Sequence, residues 1–378
     1  MSTKHPLELL RKKLKESHLD GCIITHTSDI RWLTGWEYVF DAEKAHAAFV
    51  TADQALIHTD GRYSAAMRAH VEDGIWQIDD EFVPHSEYMA RTLDTIASAS
   101  VTPTALRIAI EDDLPLNRYR KLKEALSALG QGDSCIELVE LGRQVSSFRA
   151  VKIPDEIDVI RQAQQISDLV FNKLLDWLQP GFTELEVAAK LEYLLRTNGA
   201  DGMAFPAIVA SGPHSANPHA VPTNRVIETG DQVILDFGAR YRDYCADVTR
   251  VVFIGTPTKE QRALYDAVRA AQESARALVS PEITGKQVHE RALAVLDEHG
   301  YGMFFNHAVG HGVGIAVHEE PHLAPNATSV LQAGNVITIE PGAYIPGFGG
   351  VRIEDCGLVT QAGFESFTAL THEYIVIS

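Results

Sequence analysis

The chain has few cysteines and few basic residues for its length. Its 378 residues include four cysteines, and 33 Lys and Arg stand against 51 Asp and Glu, for a net charge of -18 at pH 7. No two cysteines form a C-x-x-C pair, which argues against a disulfide framework. The acidic balance argues against nucleic acid or an anionic membrane surface as a partner.

Long apolar runs and the usual nucleophile motifs are also lacking. No segment reaches the length of a transmembrane helix, and the first residues, MSTKHPLELLRKKLKE, indicate a charged amphipathic helix rather than a signal peptide. We therefore predict a cytoplasmic protein with reduced thiols. The chain contains no G-x-S-x-G motif and no cysteine beside a histidine in a motif, so a nucleophilic triad is not indicated.

The length predicts two or three domains. Residues 1–145 alternate short β-branched runs with amphipathic helical segments, which predicts an α/β domain built on a sheet. The predicted strands are Cys22–Thr25, Ala47–Thr51, Ala55–His58, Trp76–Ile78, Arg107–Ile110 and Cys135–Leu138. The predicted helices are Leu7–Glu16, Tyr63–Ala69, His85–Ala97 and Leu116–Leu129.

A second domain is predicted for residues 146–378, because the segment Gly142–Pro154 breaks the first pattern and leads into a long helix from Asp155. Three further helices begin at capping boxes, in which a Thr and a Glu or Gln three residues later bond each other's free amides. They start at Thr183, Thr258 and Thr284. With antiparallel hairpins between and after the helices, this predicts an α+β domain.

Two aspartates lie in the strand-like stretch VILDFGARYRDYCADVTRVVF. If the turn centres between Tyr241 and Arg242, Asp236 and Asp247 lie directly opposite each other, with β-carbons about 4.5 to 5.5 Å apart. Two carboxylates so placed repel unless a cation lies between them. Taken alone, they would be better interpreted as ordinary aspartates beside a turn.

Two glutamates repeat this geometry in VITIEPGAYIPGFGGVRIED. A turn centred on Gly347 places Glu340 opposite Glu354, and Arg352 projects from the same face as Glu354 by the period of a strand. An ionised carboxylate in an apolar strand is costly unless it is compensated, and one arginine is too little for two acids. Two such hairpins in one chain favour a metal site.

Adding His311 from HAVGHGVGIAVHEEP gives four carboxylates and one imidazole, a set that suits Mn, Co or Zn. Five side chains exceed the needs of one tetrahedral ion. We therefore predict two divalent ions that share bridging carboxylates, with a bridging hydroxide as the nucleophile. His219, His307 and His318 are the histidines expected around the same cavity.

These motifs together resemble the creatinase/prolidase family of pita-bread metallopeptidases, in particular the Xaa-Pro dipeptidases and Xaa-Pro aminopeptidases. The resemblance covers FPAIVASG, PHAVP, DFGARYRDYCADVTR, HAVGHGVGIAVHEEP and TIEPGAYIPGFGGVRIED, and more weakly SDIRWLTGW and HTDGRY in the first domain. It implies a C-terminal pita-bread catalytic domain preceded by a smaller, noncatalytic α/β domain of the creatinase type.

The resemblance also implies a role for each site residue. Asp236 would chelate one metal, Asp247 and Glu354 would bridge both, and His311 and Glu340 would bind the second. Glu340 would also act in proton transfer. The remaining four would handle the substrate and the ligands: His318 at the scissile carbonyl, His219 at the scissile nitrogen, His307 in the pocket for the proline ring, and Arg352 in support of Glu354.

The predicted function is therefore a dinuclear Xaa-Pro aminopeptidase, with manganese as the first choice of metal and cobalt or zinc as alternatives. The alternatives are a prolidase restricted to Xaa-Pro dipeptides and, more remotely, a noncatalytic peptide-binding relative. After HEEP some prolidases carry an arginine that can meet a dipeptide carboxylate, and this chain has His322. The resemblance also implies a homodimer, with Trp32, Trp36 and Tyr38 as candidate contacts.

Overall fold

The computed structural model describes residues 4–41, 43, 45–71, 74–99, 105–130, 135–142 and 144–378. Contacts between residues divide the chain into two units, Met1–Phe148 and Arg149–Ser378. Within the described ranges, no helix is both long enough and apolar enough to cross a membrane.

The first unit is built on a mixed sheet whose described strands lie in the order β4-β3-β2-β1-β5-β6. These strands are β1 Gly21–Ile24, β2 Ala47–Thr51, β3 Ala55–His58, β4 Gln77–Asp79, β5 Leu106–Ile110 and β6 Ile136–Glu140. The helices are α1 Lys4–Glu16, α2 Thr27–Thr34, α3 Ser64–His70, α4 His85–Ala99 and α5 Leu116–Ala128, and α6 Gln144–Ala150 contains the boundary to the second unit, which begins at Arg149. Strand β1 runs antiparallel to β2 and parallel to β5.

Each predicted strand and helix of this unit has a counterpart whose bounds differ by a few residues at most. The sequence did not reveal α2 or α6. Helix α2 is a short segment that ends at Gly35, whose φ of 69° stops the helix, and it is too short to show a helical period. Trp32 and Trp36 are buried within this unit, while Tyr38 is exposed.

The second unit has the predicted α+β organisation. Its helices are α7 Pro154–Leu175, α8 Glu184–Thr197, α9 Lys259–Leu278 and α10 Gly285–Glu298. The three capping boxes predicted at Thr183, Thr258 and Thr284 are present. The strands are β7 Gly202–Met203, β8 Ile208–Ser211, β9 Gln232–Phe237, β10 Ala239–Tyr241, β11 Tyr244–Cys245, β12 Val248–Ile254, β13 Gly310–Gly312, β14 Glu319–Leu323, β15 Val336–Ile339, β16 Gly342–Ile345, β17 Gly349–Arg352, β18 Asp355–Thr360, β19 Gly363–Ser366 and β20 Ile375–Ile377.

Strands β9 and β12 lie at the centre of this unit, with an apolar cluster on each face. Alternate side chains of β9 point to opposite faces, so Val233 and Leu235 pack in the cluster with α7 and α8, whereas Ile234 packs in the cluster with α9 and α10. Asp236 follows Ile234 by the same period of two. A carboxylate is thereby placed on the buried face of a central strand.

Candidate metal centre

The first carboxylate hairpin has a different register from the one predicted. Its turn is formed by Arg242 and Asp243, both at positive φ, and Arg240 pairs with Cys245 on either side. The ladder continues with Thr249, and not Asp247, opposite Asp236. The prediction that the two aspartates face each other directly is therefore wrong, because a two-residue turn one position further along shifts the whole pairing.

Asp247 lies in the interruption between two ladders. On the opposite strand the chain passes through Gly238, where an added β-carbon would lie 1.8 Å from the carbonyl oxygen of Ala246. Only glycine permits this close approach of the two backbones. Asp247 is thus buried just ahead of β12, while Asp236 lies within β9.

The second carboxylate hairpin has the predicted register. Its turn is centred on Gly347, at φ 80°, and Gly342 pairs with Arg352. Beyond the hairpin, Ile339 pairs with Asp355 in a ladder of the same register. Glu340 and Glu354 lie between these two ladders and therefore occupy facing positions.

The His311 imidazole completes the group of donors. Its Nδ1 lies 3.1 Å from the carbonyl oxygen of Gly312, which can only accept a hydrogen bond. Nδ1 therefore carries a proton, and Nε2 lies 3.2 Å from Glu340 Oε1 and 3.6 Å from Asp247 Oδ2. A lone pair facing carboxylate oxygens at these distances needs a cation or a proton between them.

Three of the donors form a tighter set. One atom each from Asp247, His311 and Glu354 lies within 4.8 Å of the others, close enough to hold one ion. Glu354 Oε2 accepts a hydrogen bond of 2.7 Å from Thr249, but its Oε1 is buried without a hydrogen-bond partner. Asp236 Oδ1 is also buried without one. Unpaired carboxylate oxygens aimed into one group fit the requirements of divalent metal.

Electrostatics supports the same interpretation. Burial, together with the charges of Glu354, Asp236 and Glu340, raises the pKa of Asp247 well above its ordinary value. Burial and neighbouring acids likewise raise the pKa of Glu354. Burial opposes the ionised form of Glu340 too, yet the bond to His311 offsets it and lowers the Glu340 pKa to about 2. Ionising all these acids together requires more positive charge than the side chains supply.

Arg352 is the cation that the chain itself contributes. It is buried, forms an ion pair with Asp236, and donates to Thr249 Oγ1 over 3.1 Å. It also donates to the Tyr344 hydroxyl over 2.7 Å, and that hydroxyl lies 3.0 Å from His307 Nε2. Because His307 Nδ1 bonds the Ala308 carbonyl, Nε2 accepts the Tyr344 proton. Tyr344, which the sequence did not single out, thereby fixes the imidazole of His307.

All the residues predicted for the site line one cavity of about 650 Å³. They are His219, Asp236, Asp247, His307, His311, His318, Glu340, Arg352 and Glu354. The rings of His318 and His311 pack edge to face with centroids 4.3 Å apart. His322 also lines the cavity, is exposed, and lies 3.7 Å from Glu320. Phe205, Pro206 and Val221 supply apolar wall.

Comparison with known proteins decides which family this site belongs to. Residues 158–361 match the model of metallopeptidase family M24, and residues 6–151 match that of the creatinase/prolidase N-terminal domain. The chain belongs to metallopeptidase family M24. The Xaa-Pro dipeptidase of Pyrococcus horikoshii is 40% identical over 71% of this chain and 74% of its own length.

Solved structures of the family extend the similarity to both units. The Xaa-Pro dipeptidase from Bacillus anthracis is 33% identical, with a TM-score of 0.88, and covers 99% of this chain and 100% of its own. The X-Pro aminopeptidase from Thermotoga maritima is 31% identical, with a TM-score of 0.81, over 97% of this chain and 100% of its own. The predicted fold class, an M24 pita-bread domain preceded by a creatinase-type domain, is confirmed, and the protein is a metallopeptidase.

The sequence did not indicate two further buried carboxylates of this M24 chain that position parts of the site. The first is Glu184, at the start of α8, whose buried carboxylate accepts hydrogen bonds from three residues of the segment that carries His219. These are Ser211 N and Oγ at 2.8 Å each, His214 Nδ1 at 2.9 Å, and Thr223 N and Oγ1 at 3.0 and 2.7 Å. The second is Glu319, buried between Arg149 Nη2 at 2.5 Å and Lys152 Nζ at 2.8 Å. It follows His318 directly and fixes the start of β14.

Glu184→Gln is expected to lower kcat/KM by about 10- to 100-fold without changing metal content. The neutral amide replaces charge-assisted bonds and turns an NH2 group toward donors, so the segment from Ser211 to Thr223 loses its anchor. Steady-state kinetics and elemental analysis measure the two quantities. Glu186→Gln on the same helix is the matched control, since the Glu186 carboxylate accepts hydrogen bonds from Thr183 and not from Ser211, His214 or Thr223. Equal activity of the two variants would contradict the positioning role.

Proposed function

We propose that this M24 peptidase is a dinuclear Xaa-Pro aminopeptidase that hydrolyses the bond before proline at the N-terminus of peptides. The single observation that carries the proposal is the group of five donor side chains on one cavity, two of whose buried carboxylate oxygens lack a hydrogen-bond partner. Similar proteins named as Xaa-Pro dipeptidases and as an X-Pro aminopeptidase support cleavage of the bond before proline.

Asp236, Asp247, His311, Glu340 and Glu354 would hold two divalent ions, with Asp247 and Glu354 shared between them. When bound, such ions supply a water that is acidic enough to attack at neutral pH and polarise the carbonyl of the scissile bond. Manganese is the proposed metal, with cobalt or zinc as alternatives that the same donors accept. Arg352 offsets part of the negative charge of the donor group through its ion pair with Asp236.

The remaining side chains act on protons and on the substrate. Glu340 accepts a proton from the attacking water, a role that requires its carboxylate to be ionised beforehand. His318 donates to the scissile carbonyl oxygen as negative charge develops there. His219 protonates the leaving prolyl nitrogen, which has no hydrogen of its own in the peptide. His307, oriented by Tyr344, forms the wall against the proline ring.

Substrate length is decided at the rim of the cavity. The carboxylate of a dipeptide needs a fixed cation, whereas a longer peptide continues into solvent. His322 is exposed and paired at long range with Glu320, so it gives a weak anchor for a carboxylate. Peptides longer than two residues are therefore the proposed substrates. The dipeptidase names of similar proteins favour the alternative, a prolidase.

A direct test compares Ala-Pro with Ala-Pro-Ala on protein reconstituted with Mn, Co or Zn, followed by elemental analysis. We expect two ions per chain and a larger kcat/KM for the tripeptide. Exclusive cleavage of Ala-Pro would establish the prolidase alternative. Less than one ion per chain with no turnover would leave only the noncatalytic peptide-binding alternative.

His322→Arg is expected to raise kcat/KM for Ala-Pro by about tenfold relative to Ala-Pro-Ala. A guanidinium can pair in bidentate fashion with the dipeptide carboxylate, and one such pair contributes about 1.5 to 3 kcal/mol before desolvation. His322→Gln is the control, because it keeps a polar side chain without adding charge. An unchanged preference in the arginine variant would show that the rim at this position does not select substrate length.

We further propose a cytoplasmic homodimer. Three of the four cysteines, Cys22, Cys245 and Cys356, are buried free thiols, which supports a reducing compartment. The dimer follows from the family resemblance, and the exposed Tyr38 is the candidate contact that remains. Sedimentation of the metal-loaded protein tests it, and a monomer at working concentrations would reject the dimer.

A further inference from the structure

Glu354, one of the two acids proposed to be shared between the metal ions, is held by two adjacent residues of β12. Its N–H donates to the Thr249 carbonyl over 3.2 Å, and its carbonyl oxygen accepts a hydrogen bond of 2.5 Å from Arg250 Nη1. Its Oε2 accepts from the Thr249 hydroxyl over 2.7 Å, whereas Oε1 is buried and has no hydrogen-bond partner among the described residues. The backbone and one carboxylate oxygen are thus fixed, and Oε1 is the atom left for a ligand.

The direction of the hydrogen bond from Thr249 is fixed as well. An arginine nitrogen can only donate, so the Thr249 hydroxyl accepts from Arg352 Nε at 3.1 Å and gives its own proton to Glu354. Thr249 is fully buried, and it lies opposite Asp236 in the ladder of β9 and β12. The orientation of the Glu354 carboxylate therefore depends on where β12 holds Thr249.

Arg250, the next residue of β12, uses its whole guanidinium group to hold this arrangement. It is fully buried, and an arginine has five N–H groups to satisfy. They face five oxygens, which are the carbonyls of Thr371 at 3.0 Å, Thr249 at 2.9 Å, Glu354 at 2.5 Å and Leu370 at 2.9 Å, and Asp355 Oδ1 at 2.8 Å. A single side chain therefore ties β12 and Glu354 to residues 370–372.

Asp355 supplies the countercharge to Arg250. It follows Glu354 directly and begins β18, and a buried arginine costs several kcal/mol unless an acid and further hydrogen bonds compensate it. The buried Asp355 carboxylate accepts hydrogen bonds from three more side chains, which are Gln272 at 3.0 Å, Arg276 at 3.2 Å and His372 at 3.0 Å. Asp355 is therefore occupied by these donors, and it anchors Arg250 to α9 and to residues 370–372.

We propose that Arg250 and Asp355 are positioning residues that set the metal affinity of the site by holding Glu354 in place. Neither is among the described residues that line the cavity, so they act through Glu354 and Thr249 and not on the substrate. Residues 370–372 belong to the same support, because two of their carbonyl groups bond Arg250 and His372 bonds Asp355. The inference rests on the metal-binding part of the proposed function.

Arg250→Lys is expected to weaken Mn²⁺ binding by about 10- to 100-fold, since lysine keeps the charge beside Asp355 but cannot bond five oxygens at once. Asp355→Asn, which removes the countercharge and keeps the shape, is expected to weaken it by at least about tenfold. His372→Ala alters a partly exposed residue and leaves Asp355 its other donors, so the expected loss is smaller, about threefold. Calorimetric titration of the full-length, metal-free protein with Mn²⁺ measures affinity and stoichiometry, and crystal structures of the metal-free variants locate the Glu354 carboxylate.

Thermal unfolding of each metal-free variant separates positioning from stability. Arg161→Lys is the matched control, because Arg161 pairs with Glu365 at 2.9 Å and lies over the Phe367 ring, and it is expected to bind Mn²⁺ as the wild type does. Lower stability of the folded variants with wild-type Mn²⁺ affinity and an unmoved Glu354 would overturn this inference alone. If Arg250→Lys does not fold, Asp355→Asn and His372→Ala decide by the same criteria. Less than one ion per wild-type chain would overturn the proposed function, and this inference with it.

Discussion

We expect Asp247→Asn to abolish metal binding at the position that we propose Asp247 shares, and to lower kcat/KM by at least about 1,000-fold, equivalent to about 4 kcal/mol of transition-state stabilisation. The substitution keeps the shape of the side chain and removes one negative charge from the group formed with Glu354, Asp236 and Glu340. Because burial and those neighbours already raise the Asp247 pKa, the metal-free protein is expected to gain stability from the change.

Three measurements together check this expectation: kcat/KM, metal content after reconstitution, and thermal unfolding with and without metal. Asp158→Asn is the control, since Asp158 is an exposed residue of α7. The wild type and this control are stabilised by added metal, whereas Asp247→Asn is not. Wild-type turnover in Asp247→Asn, or a less stable metal-free form, would contradict the assignment of Asp247 as a shared ligand.

Arg352→Met produces the opposite result in the metal-free protein, which loses about 3 to 5 kcal/mol of unfolding free energy. Methionine retains bulk but leaves Asp236 without its ion pair and Tyr344 without its donor. Bound divalent ions compensate the same carboxylates, so the metal-loaded variant loses less. The stabilisation by metal is therefore larger in Arg352→Met than in the wild type.

A double variant separates charge from packing at this position. Asp236→Asn in the Arg352→Met background removes the buried charge that has lost its ion pair, and it is expected to restore about 0.5 to 3 kcal/mol to the metal-free protein. Urea unfolding of the wild type, both single variants and the double variant supplies the cycle. Strict additivity of the two changes would show that Arg352 stabilises the unit by packing alone.

The two carboxylate hairpins show how far a sequence can predict a register. The turn at Gly347 is flanked by glycines and a proline that leave few alternatives, and its predicted register is confirmed. Arg242 and Asp243 form their turn at positive φ, a conformation that non-glycine residues adopt only at some cost in energy. The amino-acid types in this stretch therefore do not distinguish this turn from one centred one residue earlier. The sequence therefore identifies the acids of both hairpins, but it predicts the residue that faces each acid correctly only in the second hairpin.

The supporting residues were harder to find than the acids. Tyr344 is a tyrosine in a strand, where tyrosine is common. Glu184 lies in the first turn of a helix, where the helix dipole favours an acid whether or not it has another role. Their roles depend on partners up to 39 positions away in the chain, such as Thr223 for Glu184. The burial of Glu184 distinguishes it from an ordinary acid at a helix start, and burial is a property of the structure.

By itself the sequence indicated the family and its histidines through the resemblance of its ordered motifs. It also predicted the α+β organisation of the second unit from helical periods and capping boxes, and it identified the acids because charged side chains within apolar strands violate local patterning and so indicate chemistry. Only the tertiary structure decided that all of them line one cavity and which carboxylate oxygens remain unpaired. It also decided that Tyr344 bonds His307 and that Glu184 anchors the segment that carries His219. Those facts depend on how strands that are distant in the sequence approach one another, and the local sequence pattern does not specify that approach.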